Sequence, residues 1–257
     1  MPDPTESRAA SVDLSVVVLC YHAEDFVPMF VLQIQTALEQ RGLSYELVLV
    51  ANYDPNERPR DRTPIVVTET VAMGLMRRHP TLKAVIRPKE GMMGWDMHTG
   101  LQAATGQTVA VIDGDGQMPV RDILTVYDTL RQGGYDLVVT YRQRRYDGWI
   151  RLVTSRTYNR LLRWLFPAVR VRDANSKPKI ITRQALAALT LECSGWFADA
   201  ELVLQAAYRG LRIGEVPTVF YSNERRRSFV RPAAIAEFIG EMLRYRWRML
   251  GRGHGAR

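Results

Sequence analysis

Short apolar runs alternate with helical patterns along the first half of this chain. Between the runs, apolar residues recur at helical spacing, as at Phe26, Phe30, Ile34 and Leu38. Strands that alternate with helices form parallel sheets, because each connecting helix returns the chain to the same end of the sheet. The alternation therefore predicts an α/β fold with a mostly parallel sheet flanked by helices. The predicted strands cover residues 14–20, 45–51, 82–86, 108–112 and 135–141. The predicted helices between and after them cover residues 24–39, 64–78, 91–104 and 119–132.

The second half contains more helix and fewer strands. Its predicted helices and extended segments cover residues 149–166, 179–182, 184–189, 199–208, 211–221 and 232–250. The chain has no internal repeat and no linker-like stretch, so one large domain accounts for most of its 257 residues. The sequence predicts three parts, which are a disordered tail at 1–12, the α/β domain at 13–231, and a basic amphipathic helix with its tail at 232–257.

Composition and charge limit the class of protein and its partners. The chain is 46% apolar and 24% charged, which is ordinary for a globular domain. Its two cysteines are too few for a disulfide framework, and it shows neither a signal peptide nor a long apolar run. We therefore expect a reducing, cytoplasmic setting. The net charge of +8 favours anionic partners such as phosphorylated substrates, anionic lipid or nucleic acid.

The predicted strand at 108–112 ends directly in two carboxylates, Asp113 and Asp115. A glycine follows each of them and allows the backbone to turn tightly there. In open α/β sheets, ligands bind at the carboxyl ends of the strands. Two hard oxygen donors suit a Mg²⁺ or Mn²⁺ whose other ligands are water and phosphate, and Gln117 offers a third oxygen. The alternative is a structural turn, or an N-cap for the helix that follows.

Several segments together resemble one known family. They are residues 16–24, 91–106, 113–117, 141–142, 172–179, 197–201, 215–217 and 225–228. Their order, with Asp-x-Asp after the fourth strand, resembles the GT-A fold of the family 2 glycosyltransferases, which is Rossmann-like. Within that family the chain is most similar to the polyprenyl-phosphate (dolichyl-phosphate) sugar transferases. The resemblance runs from Leu14 to about Phe229.

The resemblance implies a set of functional residues. The nucleotide of the donor is expected at Tyr21, Ala23, Glu24, Asn52, Gly94 and Asp113. The metal ion, Mg²⁺ or Mn²⁺, is expected at Asp113, Asp115 and Gln117. The catalytic candidates are Asp115, Arg142, Asp173 and Glu201. The candidates for binding phosphate or the acceptor are Ser176, Lys179, Arg225, Arg226, Arg227 and Ser228.

The chemistry of these side chains supports the assignment but leaves alternatives open. Arginine suits phosphate because its planar guanidinium can donate to two oxygens at once. Asp173 and Glu201 suit the orientation of sugar hydroxyls, or the role of general base if the acceptor is a hydroxyl. Arginines at a strand end or in a charge run are also found simply solvated, and acids at helix starts also act as caps or in ion pairs.

The chain departs from the family pattern where the nucleotide base is expected. Family members usually carry Asn-Glu after the tyrosine of the first strand, whereas His22 and Ala23 follow Tyr21 here. The second strand usually ends in Asp-Asp-Gly-Ser, whereas Asn52 and Tyr53 stand there in this chain. The identity of the base is therefore left open by the sequence.

Two basic segments, 149–166 and 232–250, alternate arginines with apolar and aromatic residues. Basic amphipathic helices with aromatic residues bind anionic membrane surfaces. The alternative is that their apolar faces pack into the core and their arginines are solvated. The sequence is thus compatible with a cytoplasmic protein that lies peripherally at the inner face of the membrane.

The leading functional hypothesis is an inverting, metal-dependent transfer of a sugar from a nucleotide diphosphate sugar to a polyprenyl phosphate. The second hypothesis keeps the enzyme class but has a soluble small-molecule hydroxyl as acceptor. A nucleotidyltransferase is more remote, because such enzymes carry a Gly-rich basic loop after the first strand. No nucleic-acid-binding signature is present, so nucleic acid is not expected as a partner. A homo-oligomer is left open.

Overall fold

The computed structural model describes residues 12–23, 25–56, 70–77, 79–145, 149–222 and 232–253. Within these residues, seven strands form one sheet. In chain order the strands are β1 (Leu14–Leu19), β2 (Tyr45–Val50), β3 (Leu82–Val85), β4 (Thr108–Asp113), β5 (Leu137–Arg145), β6 (Lys179–Thr182) and β7 (Ile213–Phe220). Across the sheet their order is β3-β2-β1-β4-β6-β5-β7.

The direction of the strands brings the loops after β1 and β4 together. β1 lies between β2 and β4 and is parallel to both. Leu19 pairs with Asp113, so the two strands end side by side at the same edge. β6 runs antiparallel to its neighbours β4 and β5. The predicted mostly parallel sheet is confirmed, whereas the reversed direction of β6 was not foreseen.

Helices cover both faces of this sheet. They are α1 (Val27–Gln40), α2 (70–77), α3 (Met93–Ala103), α4 (Arg121–Gly133), α5 (Trp149–Leu165), α6 (Arg183–Ala187), α7 (Ala198–Tyr208) and α8 (Pro232–Gly253). Local chemistry sets several of their ends. Gly134 ends α4 in the left-handed region at φ +59°, and the Thr182 hydroxyl caps the start of α6 by accepting from the N–H of Ala185.

Two apolar layers hold the helices to the sheet. Successive residues of β1 alternate between the layers, so that Val17 packs on one face and Val18 on the other. The first layer contains apolar residues of α3, α5, α7 and α8, among them Leu162 and Met242. The second contains residues of α1, α2 and α4. Burial on both faces explains why the strands are near-continuous apolar runs.

The predicted elements agree with the observed ones apart from their ends. The first helix begins at Val27, with Pro28 in its first turn, rather than at residue 24. The prediction of a helix over 64–78 is met at 70–77, and its first residues lie outside the described part of the chain, as do the tails 1–11 and 254–257. The boundary at residue 231 stays a prediction. Among the described helices, none is long and apolar enough to cross a bilayer.

Candidate active site

A cavity of about 580 Å³ opens at the carboxyl ends of the strands. Leu19 ends β1, Asp113 ends β4, and Asp54 follows β2, and all three line it. The described wall also includes residues from the loops after β1, β2 and β4, the loop before α3 and the start of that helix, the loop before β6, the loop before α7 and the start of that helix, and α8. This is the edge of the sheet where ligands of open α/β folds bind.

The turn after β4 fixes two carboxylates at this cavity. The N–H of Gly114 donates to the carbonyl of Leu19 (2.9 Å), and a Cβ at Gly114 would lie 3.0 Å from that oxygen. Glycine therefore lets the turn pass close to β1. The Asp115 carboxylate accepts from the N–H of Gln117 (3.1 Å), and Asp115 is only 7% exposed. Asp113 and Asp115 both line the cavity, as the sequence predicts.

Two lysines share one buried carboxylate beside this turn. Asp199, in the first turn of α7, accepts from the Nζ atoms of Lys177 and Lys179, each at 2.7 Å. Lys177 Nζ also lies 3.3 Å from Oδ1 of Asp113 and lines the cavity. Lys179 Nζ instead donates to the carbonyl of Ser176 (2.6 Å). Lys177, rather than the predicted Lys179, is therefore the lysine of this pair that faces the cavity.

Opposite charges keep Lys177 and Asp199 ionised although both are buried. Burial works to lower the pKa of Lys177, but the Asp113 and Asp199 carboxylates outweigh it and raise that pKa above its ordinary value. Burial works to raise the pKa of Asp199, yet Lys177 and Lys179 hold it below its ordinary value. For Lys179, burial lowers the pKa despite the attraction of Asp199. Lys177 and Asp199 thus form a charged pair at neutral pH.

A second ion pair borders the cavity at Tyr21. Lys89 donates to Asp96 of α3 (2.5 Å) and lies over the Tyr21 ring, 3.8 Å from its centroid. All three side chains line the cavity. Asn52, predicted to bind the nucleotide, is buried behind them and donates to Asp96 (3.0 Å) and Thr99 (2.9 Å). The structure therefore gives Asn52 a supporting place rather than one on the cavity wall.

Glu201, predicted as a catalytic residue, does not reach the cavity. Its carboxylate accepts from the N–H groups of Glu192 (3.0 and 3.1 Å) and Cys193 (2.8 Å), and so it fixes the loop before α7. Residues two apart in a helix point to different faces. Asp199 therefore faces the cavity and Glu201 does not. The structure corrects the prediction, since the α7 carboxylate at the cavity belongs to Asp199.

Gln117 and Gly94 also lie away from the cavity. The side-chain amide of Gln117 donates to the carbonyl of Tyr221 (2.9 Å), so it ties the turn to the end of β7 and is not a cavity-lining ligand. Gly94, in the first turn of α3, lets that helix approach a neighbouring loop, because a Cβ there would lie 2.4 Å from the carbonyl oxygen of Cys193. Both residues act on the shape of the site rather than within the cavity.

Arg142 and Asp173, two predicted catalytic residues, pair with each other. Nε and Nη2 of Arg142 donate to the two carboxylate oxygens of Asp173 at 2.7 and 2.9 Å. The pair lies in a second cavity of about 430 Å³ beside α5, which we call the arginine cavity. Five guanidinium groups and one carboxylate on its wall suit an anion. The arginines are Arg142, Arg156, Arg160, Arg163 and Arg172.

Two other predicted residues are buried in the protein. The Ser176 hydroxyl shares a hydrogen bond with the Thr140 hydroxyl (2.7 Å). The carbonyl of Ala23 accepts from the N–H groups of Phe26 and Val27 and so begins α1. Neither side chain lines either cavity. The predictions for the remaining positions fall outside the described residues and stay predictions. These positions are Glu24, Arg225, Arg226, Arg227 and Ser228.

The charge of the main cavity suits a divalent cation. A cation strengthens the binding of a diphosphate to the described wall, because carboxylates outnumber ammonium groups there. Asp113 and Asp115 provide the one or two carboxylates with which Mg²⁺ binds when phosphate and water complete its shell. Within the described residues, no cluster of three acid, His or Cys side chains could hold an ion. The charged residues of the wall are Asp54, Asp96, Asp113, Asp115, Asp199, Lys89 and Lys177.

The sequence does not single out two residues of the cavity wall, Asp199 and Lys177. Asp199 falls inside the 197–201 segment that carries the family resemblance, and only the helical phase separates it from Glu201. Lys177 falls in the same short segment as Lys179. Residue type does not distinguish the two lysines, and only the path of the chain into β6 decides which one contacts Asp113.

Comparison with known proteins shows the family of this chain. Residues 15–191 match the model of the family described as glycosyl transferase family 2. An undecaprenyl-phosphate 4-deoxy-4-formamido-L-arabinose transferase of Aeromonas hydrophila subsp. hydrophila is 27% identical over 150 residues, which are 57% of this chain and 42% of that protein. The protein of the same name from Pectobacterium carotovorum subsp. carotovorum is 29% identical over 151 residues, 59% of this chain and 43% of the relative. The chain spans less than half the length of these relatives.

Solved structures establish the fold. Glucosyl-3-phosphoglycerate synthase from Mycobacterium tuberculosis in complex with UDP has a TM-score of 0.68 at 19% identity, covering 92% of this chain and 81% of that one. The complex with Mn²⁺, UDP and phosphoglyceric acid has a TM-score of 0.66 at 18% identity, covering 92% and 79%. The sheet is thus that of a GT-A glycosyltransferase, and with the family match over more than half of its length the chain belongs to glycosyl transferase family 2.

Proposed function

We propose that this protein transfers a sugar from a nucleotide diphosphate sugar to a polyprenyl phosphate, with Mg²⁺ or Mn²⁺ as cofactor. The observation that carries the proposal is the cavity at the ends of β1 and β4, into which a family 2 chain places Asp113 and Asp115. The relatives described above are named undecaprenyl-phosphate sugar transferases. The structural neighbours were crystallised with UDP and with Mn²⁺ or Mg²⁺.

The residues of the cavity suggest how the donor is held. Asp113 and Asp115 would hold the metal ion, which as a Lewis acid stabilises the leaving diphosphate. Trp196 lines the cavity, and its indole N–H is buried without a hydrogen-bond partner among the described residues. We propose that this N–H donates to a sugar hydroxyl of the bound donor. The metal ion would hold the diphosphate and Trp196 the sugar, so that the anomeric carbon is open to the acceptor.

We infer that transfer proceeds by direct displacement with inversion. Glycosyl transfer passes through an oxocarbenium-like transition state. A phosphate acceptor is already ionised and needs no general base, so its alignment with the anomeric carbon accounts for most of the acceleration. The arginine cavity offers positive charge for such an acceptor, and the loop from Asp173 to Lys177 reaches from it to the main cavity.

A soluble hydroxyl acceptor is the second candidate. It is favoured by the structural neighbours that were crystallised with phosphoglyceric acid or glucosyl-3-phosphoglycerate. A hydroxyl acceptor needs a general base, and Asp199 offers a buried carboxylate on the cavity wall for that role. Its firm pairing with two lysines favours the phosphate acceptor instead, because a carboxylate with a lowered pKa is a weak base.

A transfer assay tests the proposal and separates the two acceptors. Radiolabelled UDP-, GDP- and dTDP-sugars are incubated with the protein, Mn²⁺ and either undecaprenyl phosphate in detergent or 3-phosphoglycerate. We expect transfer from one donor to the lipid phosphate, and loss of that transfer in EDTA. Transfer only to the soluble acceptor would establish the second candidate. Calorimetry that detects no nucleotide binding with any metal would contradict both.

The outer faces of two helices support access to a lipid acceptor at a membrane. The inward faces of α5 and α8 are core, since Leu162 and Met242 are buried. Their outer faces carry tryptophans with unusually high exposure, 76% for Trp164 and 79% for Trp247. Ile239 and Leu243 precede Trp247 at four-residue steps and are also exposed, so they share its face. We propose that these faces, with their neighbouring arginines, lie on an anionic membrane surface.

Replacing Trp164 and Trp247 with serine is expected to weaken vesicle binding by about tenfold for each change, because each indole loses its burial in the interface. Co-sedimentation with vesicles rich in phosphatidylglycerol measures this binding, and it should fall as salt rises. The matched control is Met29→Ser, which removes a similarly exposed apolar side chain from α1. Equal loss of binding in the control, or no binding by the native protein, would contradict the membrane proposal.

A further inference from the structure

Lys177 differs in its placement from the other lysines that the structure describes near the main cavity. Lys89 is held by Asp96 and lies over the ring of Tyr21. Lys179 is turned towards the carbonyl of Ser176 and does not line the cavity. Lys177 lines the cavity and also contacts Asp113, one of the two carboxylates expected to bind metal.

The hydrogen bonds of Lys177 leave room for a better acceptor. An ammonium group has three N–H donors. One donates to Asp199 at 2.7 Å, while the other neighbours are Oδ1 of Asp113 at 3.3 Å and the thioether of Met93 at 3.8 Å. The contact with Asp113 is long, and a thioether is a weak acceptor. A phosphate oxygen would make a shorter, charge-assisted bond to the same ammonium group.

The position of this charge is fixed. The Lys177 side chain is only 4% exposed, and the equally buried Asp199 anchors it at the cavity wall. A fixed charge that water does not screen acts more strongly on a bound anion than a solvated one. The same charge repels a divalent cation that approaches Asp113.

We propose that Lys177 is a built-in cation of the diphosphate site, which contacts a phosphate oxygen of the bound nucleotide and shares Asp113 with the metal ion. The proposal rests on the proposed function, because it requires a nucleoside diphosphate in this cavity. Lys177 then strengthens the binding of nucleotide and weakens the binding of metal alone. Part of the affinity for the nucleotide does not depend on metal, and the metal without nucleotide binds more weakly than it would in the absence of Lys177.

Calorimetry on the full chain tests both consequences with the variant Lys177→Met. In EDTA, we expect the native protein to bind UDP and the variant to bind it at least about tenfold more weakly, as for a lost bond to a charged group. With Mn²⁺ and no nucleotide, we expect the variant to bind the metal about tenfold more tightly, because the repelling charge is gone. A purely structural role would lower both affinities or change neither.

Two further variants and a second probe complete the test. Lys83→Met removes a half-exposed lysine that pairs with Glu46 outside the cavity, and it controls for the loss of one positive charge with its ion pair. Both of its affinities should be native. Lys177→Gln is neutral but can still donate to Asp199, so it should reproduce the pattern if the methionine variant does not fold. Inorganic pyrophosphate replaces UDP as a probe that is independent of the base.

The outcomes separate the inference from the function on which it rests. Three outcomes would overturn the role of Lys177 without touching the proposed function. They are binding of UDP or pyrophosphate to the native protein that requires Mn²⁺, equal affinity of native and variant protein in EDTA, and no gain in the affinity of the variant for Mn²⁺. If neither UDP nor pyrophosphate binds the native protein even with Mn²⁺, the proposed donor site and the inference both fail.

Discussion

Replacing Asp115 with alanine is expected to lower kcat/KM for sugar transfer by about 10³-fold, because the leaving diphosphate loses the cation that stabilises it. Asp115 is nearly buried and held in place by the N–H of Gln117, so no neighbouring carboxylate in the turn can replace it at the same point. Nucleotide binding should lose its dependence on Mn²⁺ in the variant. Transfer assays and calorimetry with and without Mn²⁺ measure the two effects.

The control for this change is Asp128→Asn, which removes a carboxylate from the exposed surface of α4, where it pairs with Arg41. Its activity should be native. Thermal melting of Asp115→Ala should stay cooperative, because Asp113 and the hydrogen bond from Gly114 to Leu19 still fix the turn. Native activity in the folded Asp115→Ala protein would contradict the assignment of the metal site.

Replacing Asp199 with asparagine is expected to lower the free energy of unfolding by about 3–5 kcal/mol, since it leaves two buried ammonium groups without their shared carboxylate. Lys177 would retain only its longer contact with Asp113, and Lys179 only the carbonyl of Ser176. Urea denaturation at pH 7 measures the loss. The same Asp128→Asn variant is the control, because an exposed ion pair contributes less than about 1 kcal/mol.

The pH dependence of this loss has a definite sign. Burial alone would raise the pKa of Asp199, but Lys177 and Lys179 hold it below its ordinary value. A carboxyl whose pKa is lower in the folded state stabilises the fold above its unfolded pKa of about 4, and this stability is lost as the pH falls through the folded value. The difference between native protein and Asp199→Asn should therefore be full at pH 7 and shrink below about pH 4. A difference that is constant with pH, or equal to that of the control, would contradict the charged pair.

Strands and helices were read from the sequence with good accuracy because their signals are local. A strand such as β1 is apolar apart from Ser15, since both of its faces are covered, and short apolar runs that alternate with helices are typical of buried parallel strands. The ends of helices have a weaker signal in the sequence, because the ends of α1 and α4 depend on single residues such as Pro28 and Gly134. The direction of β6 has no local signal, because pairing partners lie far apart in the chain.

The position of a residue in the cavity follows from the sequence where a strand end defines it, and not where a helix or loop does. Asp113 ends β4, and Asp115 and Tyr21 come two residues after a strand end, so their place at the edge of the sheet follows from the topology. Glu201 and Asp199 differ by two positions in one helix, and the sequence does not show which face meets the cavity. Arg142 and Asp173 were both identified, but their pairing with each other required the fold to bring them together.

Three features follow from runs of neighbouring residues and are therefore encoded locally: the α/β class, the order of the strands along the chain, and the two carboxylates at the end of β4. Only the folded chain brings Lys177 to Asp113 and pairs Asp199 with two lysines. Those contacts join the end of β4, the approach to β6 and the start of α7. The attraction between these charges is strong because folding brings them together and removes the water between them. No local pattern in the chain encodes the distance between residues that lie so far apart in sequence.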